Sequence, residues 1–149
     1  MRKKKKIILN PQSIKFTKQH KGILMPIEYK RSASNLSYGV FGLKILQNNR
    51  FKVKQLETIR KHISTNLKKN QCLWIRIFPD IPITSKPKEI RMGKGKGEVS
   101  DWVVKLKAGH ILFELSPMRY RKAIKILTIA AKQLSVNAVL VFQKQKLLF

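Results

Sequence analysis

Between Arg91 and Gly97 the chain reads Arg-Met-Gly-Lys-Gly-Lys-Gly, three glycines at alternate positions interleaved with cations. Such a stretch does not suit the interior of a helix or strand, because each glycine loses more backbone freedom on folding than alanine and brings no side chain to bury. It reads as a loop. Its amides, stripped of side chains at Gly93, Gly95 and Gly97, can approach a phosphate closely, while Arg91, Lys94 and Lys96 bring positive charge to the same place. The whole chain shares this bias, with 33 Lys+Arg against 7 Asp+Glu and a formal charge of +26 over 149 residues. Self-repulsion on that scale opposes compaction unless a partner supplies negative charge, so nucleic acid is the expected partner.

A hydrophobic content of 43% excludes wholesale disorder and provides for one domain with a real core. An acidic membrane surface is the competing polyanion, but no apolar run approaches the roughly 20 residues of a spanning helix, and membrane insertion is not expected. Cys72, the single cysteine, has no internal partner and falls in an apolar run where a small buried hydrophobe is expected. The start, Met1 to Lys6, is basic but leads to only three apolar residues, Ile7, Ile8 and Leu9, too few for a secretory core. It also lacks the serine-rich amphipathic pattern of a transit peptide. Lysine outnumbers arginine, 25 to 8, and isoleucine and asparagine are frequent, a bias expected of an A/T-rich genome such as that of an organelle or a reduced bacterium.

Three regions follow along the chain: a basic extended arm at 1–22, an α+β domain at 23–142 and a short basic tail at 143–149. Within the arm, Lys15, Lys18, His20 and Lys21 are closed by Gly22. Short apolar runs from Ile23 to Leu46, broken by Pro26, Gly39 and Gly42, suggest strands and turns. Val53, Leu56, Ile59, Ile63 and Leu67 recur at helical spacing and predict a basic amphipathic helix over 52–67. Leu73 to Phe78 and Ile83 to Lys86 read as strands. Trp102 to Leu106 and Ile111 to Leu115, around Lys107-Ala108-Gly109-His110, read as a hairpin. Ser116-Pro117 looks like an N-cap followed by proline at the first helical position. Tyr120, Ala123, Ile124, Leu127, Ala130, Ala131 and Leu134 form the stripe of the helix that follows, and Ala138 to Phe142 supplies one more strand. The expected fold class is α+β, a mostly antiparallel sheet packed against two main amphipathic helices.

Catalytic constellations are missing. His20, His62 and His110 lie far apart, without metal-ligand spacing, and no acid has an evident partner carboxylate. The run Gly93-Lys94-Gly95-Lys96-Gly97 has neither the spacing of a dinucleotide fingerprint nor the G-K-[ST] ending of a P-loop. An enzyme is therefore not expected, and neither is a cofactor or a metal. Glu57 is placed to pair with Lys61 one turn on. Trp74 and Arg76 share a strand face; the tryptophan reads as a core anchor and Arg76 as a binding candidate. Lys68 and Lys69, with Lys15, Lys18 and Lys21, are expected to face phosphate.

Two segments resemble a known family. Lys68 to Asp80, Lys-Lys-Asn-Gln-Cys-Leu-Trp-Ile-Arg-Ile-Phe-Pro-Asp followed by Pro82, and Arg91 to Gly97 with Trp102 five residues on, closely resemble the two signatures of the large-subunit ribosomal protein sixteen family, of bacterial and organellar type. Asn10-Pro11, Lys15-Phe16, Lys18-Gln19-His20 with Gly22, Gly39, Gly42-Leu43-Lys44 and Gln55-Leu56-Glu57 with Arg60 extend the similarity over about residues 9–142. The chain departs from the family pattern at Gln12 and Ser13, where the arm is usually basic, across Pro26 to Ser34, and at Lys52, where a capping Thr or Ser is usual.

What the resemblance implies is a hammerhead-type α+β domain that binds large-subunit rRNA beside the aminoacyl-tRNA site and peptidyl-transferase region and takes part in subunit assembly. The arm and the glycine loop would lie near rRNA and the A-site tRNA, with neighbouring large-subunit proteins as further partners and no homo-oligomer. The RNA would perform the catalysis. With the A/T-type composition, the divergence suggests a member encoded in a mitochondrial genome, the alternatives being a plastid or a bacterial cytoplasm. The competing functional class is an RNA- or DNA-binding architectural or processing factor outside the ribosome.

Overall fold

The computed structural model describes residues 9–20, 22 and 35–143. Among these residues seven strands and two helices follow in order: β1 (Phe41–Ile45), β2 (Asn49–Lys52), α1 (Val53–Asn66), β3 (Leu73–Ile75), β4 (Ile81–Ser85), β5 (Glu98–Leu106), β6 (Ile111–Leu115), α2 (Tyr120–Lys132) and β7 (Ala138–Phe142). The strands make two antiparallel sheets, one ordered β3-β6-β1-β7 and the other β2-β5-β4. This is the α+β class expected from the sequence. Lys21, residues 1–8, 23–34 and the tail from 144 onward lie outside the described residues.

Both sheets and both helices contribute to one core. Phe51, Val104 and Leu106 of the three-stranded sheet, Leu43, Ile45 and Phe113 of the four-stranded one, Leu56, Ile59 and Ile63 of α1, and Ala123, Leu127 and Ala130 of α2 form a single buried cluster. The stripe of α1 behaves as its spacing predicts: its middle three members are buried, and Val53 and Leu67 pack at the margin. Lysine at the N-cap, Lys52, offers no side-chain acceptor, and Gln55 compensates by accepting the Lys52 N–H at 3.1 Å. The Glu57–Lys61 pair forms at 3.2 Å.

Four expectations need correction. The strands flanking Lys107–His110 are not a hairpin: β5 pairs with β2 and β4, whereas β6 pairs with β1 and β3, so this turn carries the chain from one sheet to the other. The Gly109 N–H donates to the Ile45 carbonyl at 2.8 Å, tying the turn to the end of β1. The last helix starts at Tyr120 rather than at Ser116-Pro117, because the buried Ser116 hydroxyl accepts the Cys72 N–H at 3.0 Å and is occupied outside the helix. Cys72 is exposed, not a buried hydrophobe. Trp74 is half-buried and stacks on Tyr38, with ring centroids 6.3 Å apart, instead of anchoring the core. β2, which the sequence reading had not marked, pairs Phe51 with Val104 and leads directly into α1.

Candidate nucleic-acid interface

The glycine-rich run joins β4 to β5 and is exposed from Arg91 to Lys96. Three successive residues hold left-handed backbone: Gly93 at φ 95°, Lys94 at 55° and Gly95 at 84°. Two are glycine because that region costs a side-chain-bearing residue roughly 1–2 kcal/mol; Lys94 is the non-glycine residue that accepts it. A Cβ on Gly93 or Gly95 would meet nothing within 4 Å among the described residues, so it is the backbone conformation and not crowding that favours glycine there. Gly97 differs: a Cβ there would run into the Ser85 carbonyl, so this glycine lets the loop close onto the end of β4.

The arm meets this loop by an exchange of lysines. Lys18 Nζ donates to the Lys96 carbonyl at 2.9 Å, and Lys96 Nζ donates to the Gln19 carbonyl at 2.6 Å. Lys86 Nζ donates to the Gly93 carbonyl from the end of β4. A groove of about 720 Å³ lies here, lined by Lys18, Lys86 and residues Gly93 to Gly97, with Glu98 as its one acid among the described residues. At the arm's start Leu9 is 7% exposed within the main core, which tethers a segment otherwise lacking helix or strand. Lys15 lies over the exposed Phe16 ring at 5.6 Å. Gly22, at φ 62°, offers its carbonyl to Arg50 of β2.

The remaining candidates stand elsewhere. Lys68 and Lys69 are exposed after α1 and line a separate groove of about 530 Å³ with Arg60 and Ser64. Arg76 follows β3 and is engaged by Glu114 of β6. Glu114 is fully buried, and its carboxylate also accepts the N–H groups of Tyr38 and Gly39, each at 2.7 Å, and of Ser37 at 3.2 Å. Burial pushes this carboxyl upward, but the bonds from Gly39, Arg76, Tyr38 and Ser37 outweigh it and hold the group below the ordinary carboxylate range. The Arg76 guanidinium also lies 5.6 Å from the centre of the Tyr38 ring. Glu114 was not singled out in the sequence; the available signal was an acid inside the apolar strand Ile-Leu-Phe-Glu-Leu of a chain with so few acids.

Among the described residues no group of three His, Cys, Asp or Glu side chains could hold a metal ion, and no helix is long and apolar enough to cross a membrane. Fold and groove together define a class: a small basic α+β domain with one core that presents a cationic, bare-backboned loop suited to phosphate. The family model of ribosomal protein L16p/L10e matches residues 11–141, and the chain belongs to that family. It is 42% identical over 130 residues to the large ribosomal subunit protein uL16 of Mesorhizobium japonicum, covering 87% of this chain and 93% of that protein. It is 41% identical over 134 residues to the uL16 protein of Psychrobacter arcticus, covering 90% and 96%. Both relatives are bacterial.

Proposed function

We propose that this protein is a structural constituent of a large ribosomal subunit, holding large-subunit rRNA with its arm and glycine loop near the aminoacyl-tRNA site and supporting tRNA placement and subunit assembly. The observation that carries this reading is the reciprocal Lys18–Lys96 and Lys96–Gln19 contact, which joins two cationic segments distant in sequence into one groove. Arg91, Lys94, Lys96, Lys15 and Lys18 supply charge to phosphates, and Gly93 and Gly95 let backbone amides come close to them. Lys21 belongs to the same proposal. Lys68 and Lys69 form a second basic patch, and Arg76, while held by Glu114, edges the face that carries Tyr38 and Trp74. Such a member works as a scaffold for RNA and as a neighbour of other large-subunit proteins, with no reaction of its own.

The composition, rich in lysine, isoleucine and asparagine, supports a mitochondrial ribosome as the address. Sedimentation of tagged protein with large subunits, with crosslinks concentrated on one rRNA region, is the expected result. Crosslinks scattered over many transcripts or DNA would favour a factor outside the ribosome and overturn the proposal.

A further inference from the structure

Beside the cationic groove lies a smaller concavity of about 180 Å³, walled by Ile81, Ile83 and Val103 and edged by Gln19, Thr84 and Lys96. Lys96 borders both spaces, so a strand whose phosphate rests on the loop has this cavity within reach of an adjoining base. The β4–β5 ladder shifts register here: Ile83 faces Asp101 and Thr84 faces Val99, which leaves Ser100 as an extra residue. A bulge of this kind sharpens the local twist and re-aims side chains. Aliphatic walls with a carboxamide, a hydroxyl and an ammonium at the edge suit a flat ring with polar edges. Arg50 also lines the cavity and, among the described residues, no carboxylate does, which argues against a cationic occupant.

We propose that this cavity receives one unstacked nucleobase of the RNA strand held by the glycine loop. The ring packs against Ile81, Ile83 and Val103, the Gln19 carboxamide and Thr84 hydroxyl bond the base edge, and Lys96 serves the neighbouring phosphate. The inference rests on the reading of the groove as an RNA grip and adds to it a contact that salt does not screen, because it involves no counterion release.

The test uses the full chain and a short single-stranded RNA, compared with copies in which successive positions are abasic but every phosphate is kept. Affinity is measured over a range of salt. One abasic position is expected to weaken binding by about tenfold, in the range of a lost base contact, with the slope of log affinity against log salt unchanged. Thr84→Phe, which fills the cavity, and Gln19→Ala, in the exposed arm, should weaken intact RNA and shrink that difference. The abasic comparison needs no variant, so misfolding of Thr84→Phe does not disarm it. If every abasic RNA binds as tightly as the intact strand, the base cavity is refuted while the groove stands; a salt slope near zero for the unaltered protein would refute the groove itself.

Discussion

The Glu114 carboxylate, at zero exposure, meets the Arg76 guanidinium and at the same time accepts the N–H groups of Ser37, Tyr38 and Gly39. One acid thus ties the segment before β1 and the end of β3 to the central strand β6. Breaking a buried pair of this kind leaves an uncompensated charge, at a cost of about 3–5 kcal/mol. Arg76→Ala should therefore lower the free energy of unfolding by about 3 kcal/mol, the remaining backbone donors softening the loss. Denaturant titration of the variant reads this directly, and an unchanged midpoint would show the pair to be dispensable.

Because the folded Glu114 carboxyl lies below its unfolded value, its contribution is full above the ordinary carboxylate range and disappears as pH falls through the lower folded value. The stability gap between the unaltered protein and Glu114→Gln should accordingly be constant near neutral pH and close in acid. Unfolding curves at stepped pH measure that gap; one that widens in acid would contradict the sign.

Lys94 and Lys96 should each account for one phosphate at most. Replacing both by alanine is expected to reduce the salt slope of RNA binding by up to about two, at roughly 0.7–0.9 per phosphate contact. Filter binding across a salt series decides it, and an unaltered slope would mean that both ammoniums face water.

Gly95 and Gly97 should separate binding from folding. At Gly95 a Cβ has open space but the backbone is left-handed, so Gly95→Val should cost RNA affinity severalfold and stability only about 1–2 kcal/mol. At Gly97 a Cβ collides with the Ser85 carbonyl, so Gly97→Ala should loosen the β4–β5 end and lower Tm first. Thermal melts beside binding curves would expose a reversal of that order.

Leu9 should set the arm's position. Leu9→Ala removes most of a core side chain, with an expected loss of about 2 kcal/mol, and should make the arm easier to cleave by protease. Identical digestion rates in the two proteins would show that the tether is elsewhere.

The stripe of α1 was legible because its period survives in one dimension: Leu56, Ile59 and Ile63 point the same way whatever lies opposite, whereas in α2 the expected Tyr120 is exposed and the buried Ile126 was not in the stripe. Strand partners were not legible. Trp102 to Leu106 and Ile111 to Leu115 are two apolar runs around a short turn, as a hairpin would be, yet β6 is buried at every position and a run of that kind does not name the neighbour across the ladder. Ser116 misled because its hydroxyl had two eligible uses, and the Cys72 N–H, distant in sequence, took it. The glycine loop announced itself through residue types. Its union with the arm did not, because both bonds end on main-chain carbonyls, which every residue carries. Glu114 could have been flagged by its surroundings, but its backbone partners become visible only when β6 lies beside the 37–39 segment.

The crossed lysines between arm and loop have a mechanical corollary. Each ammonium rests on the other segment's peptide oxygen, so an incoming phosphate that recruits Lys96 unfastens Gln19, and one that recruits Lys18 frees the loop's own carbonyl. Each occupied ammonium therefore undoes one strap and leaves the second fastened, so arm and loop can yield to a phosphate in turn without parting.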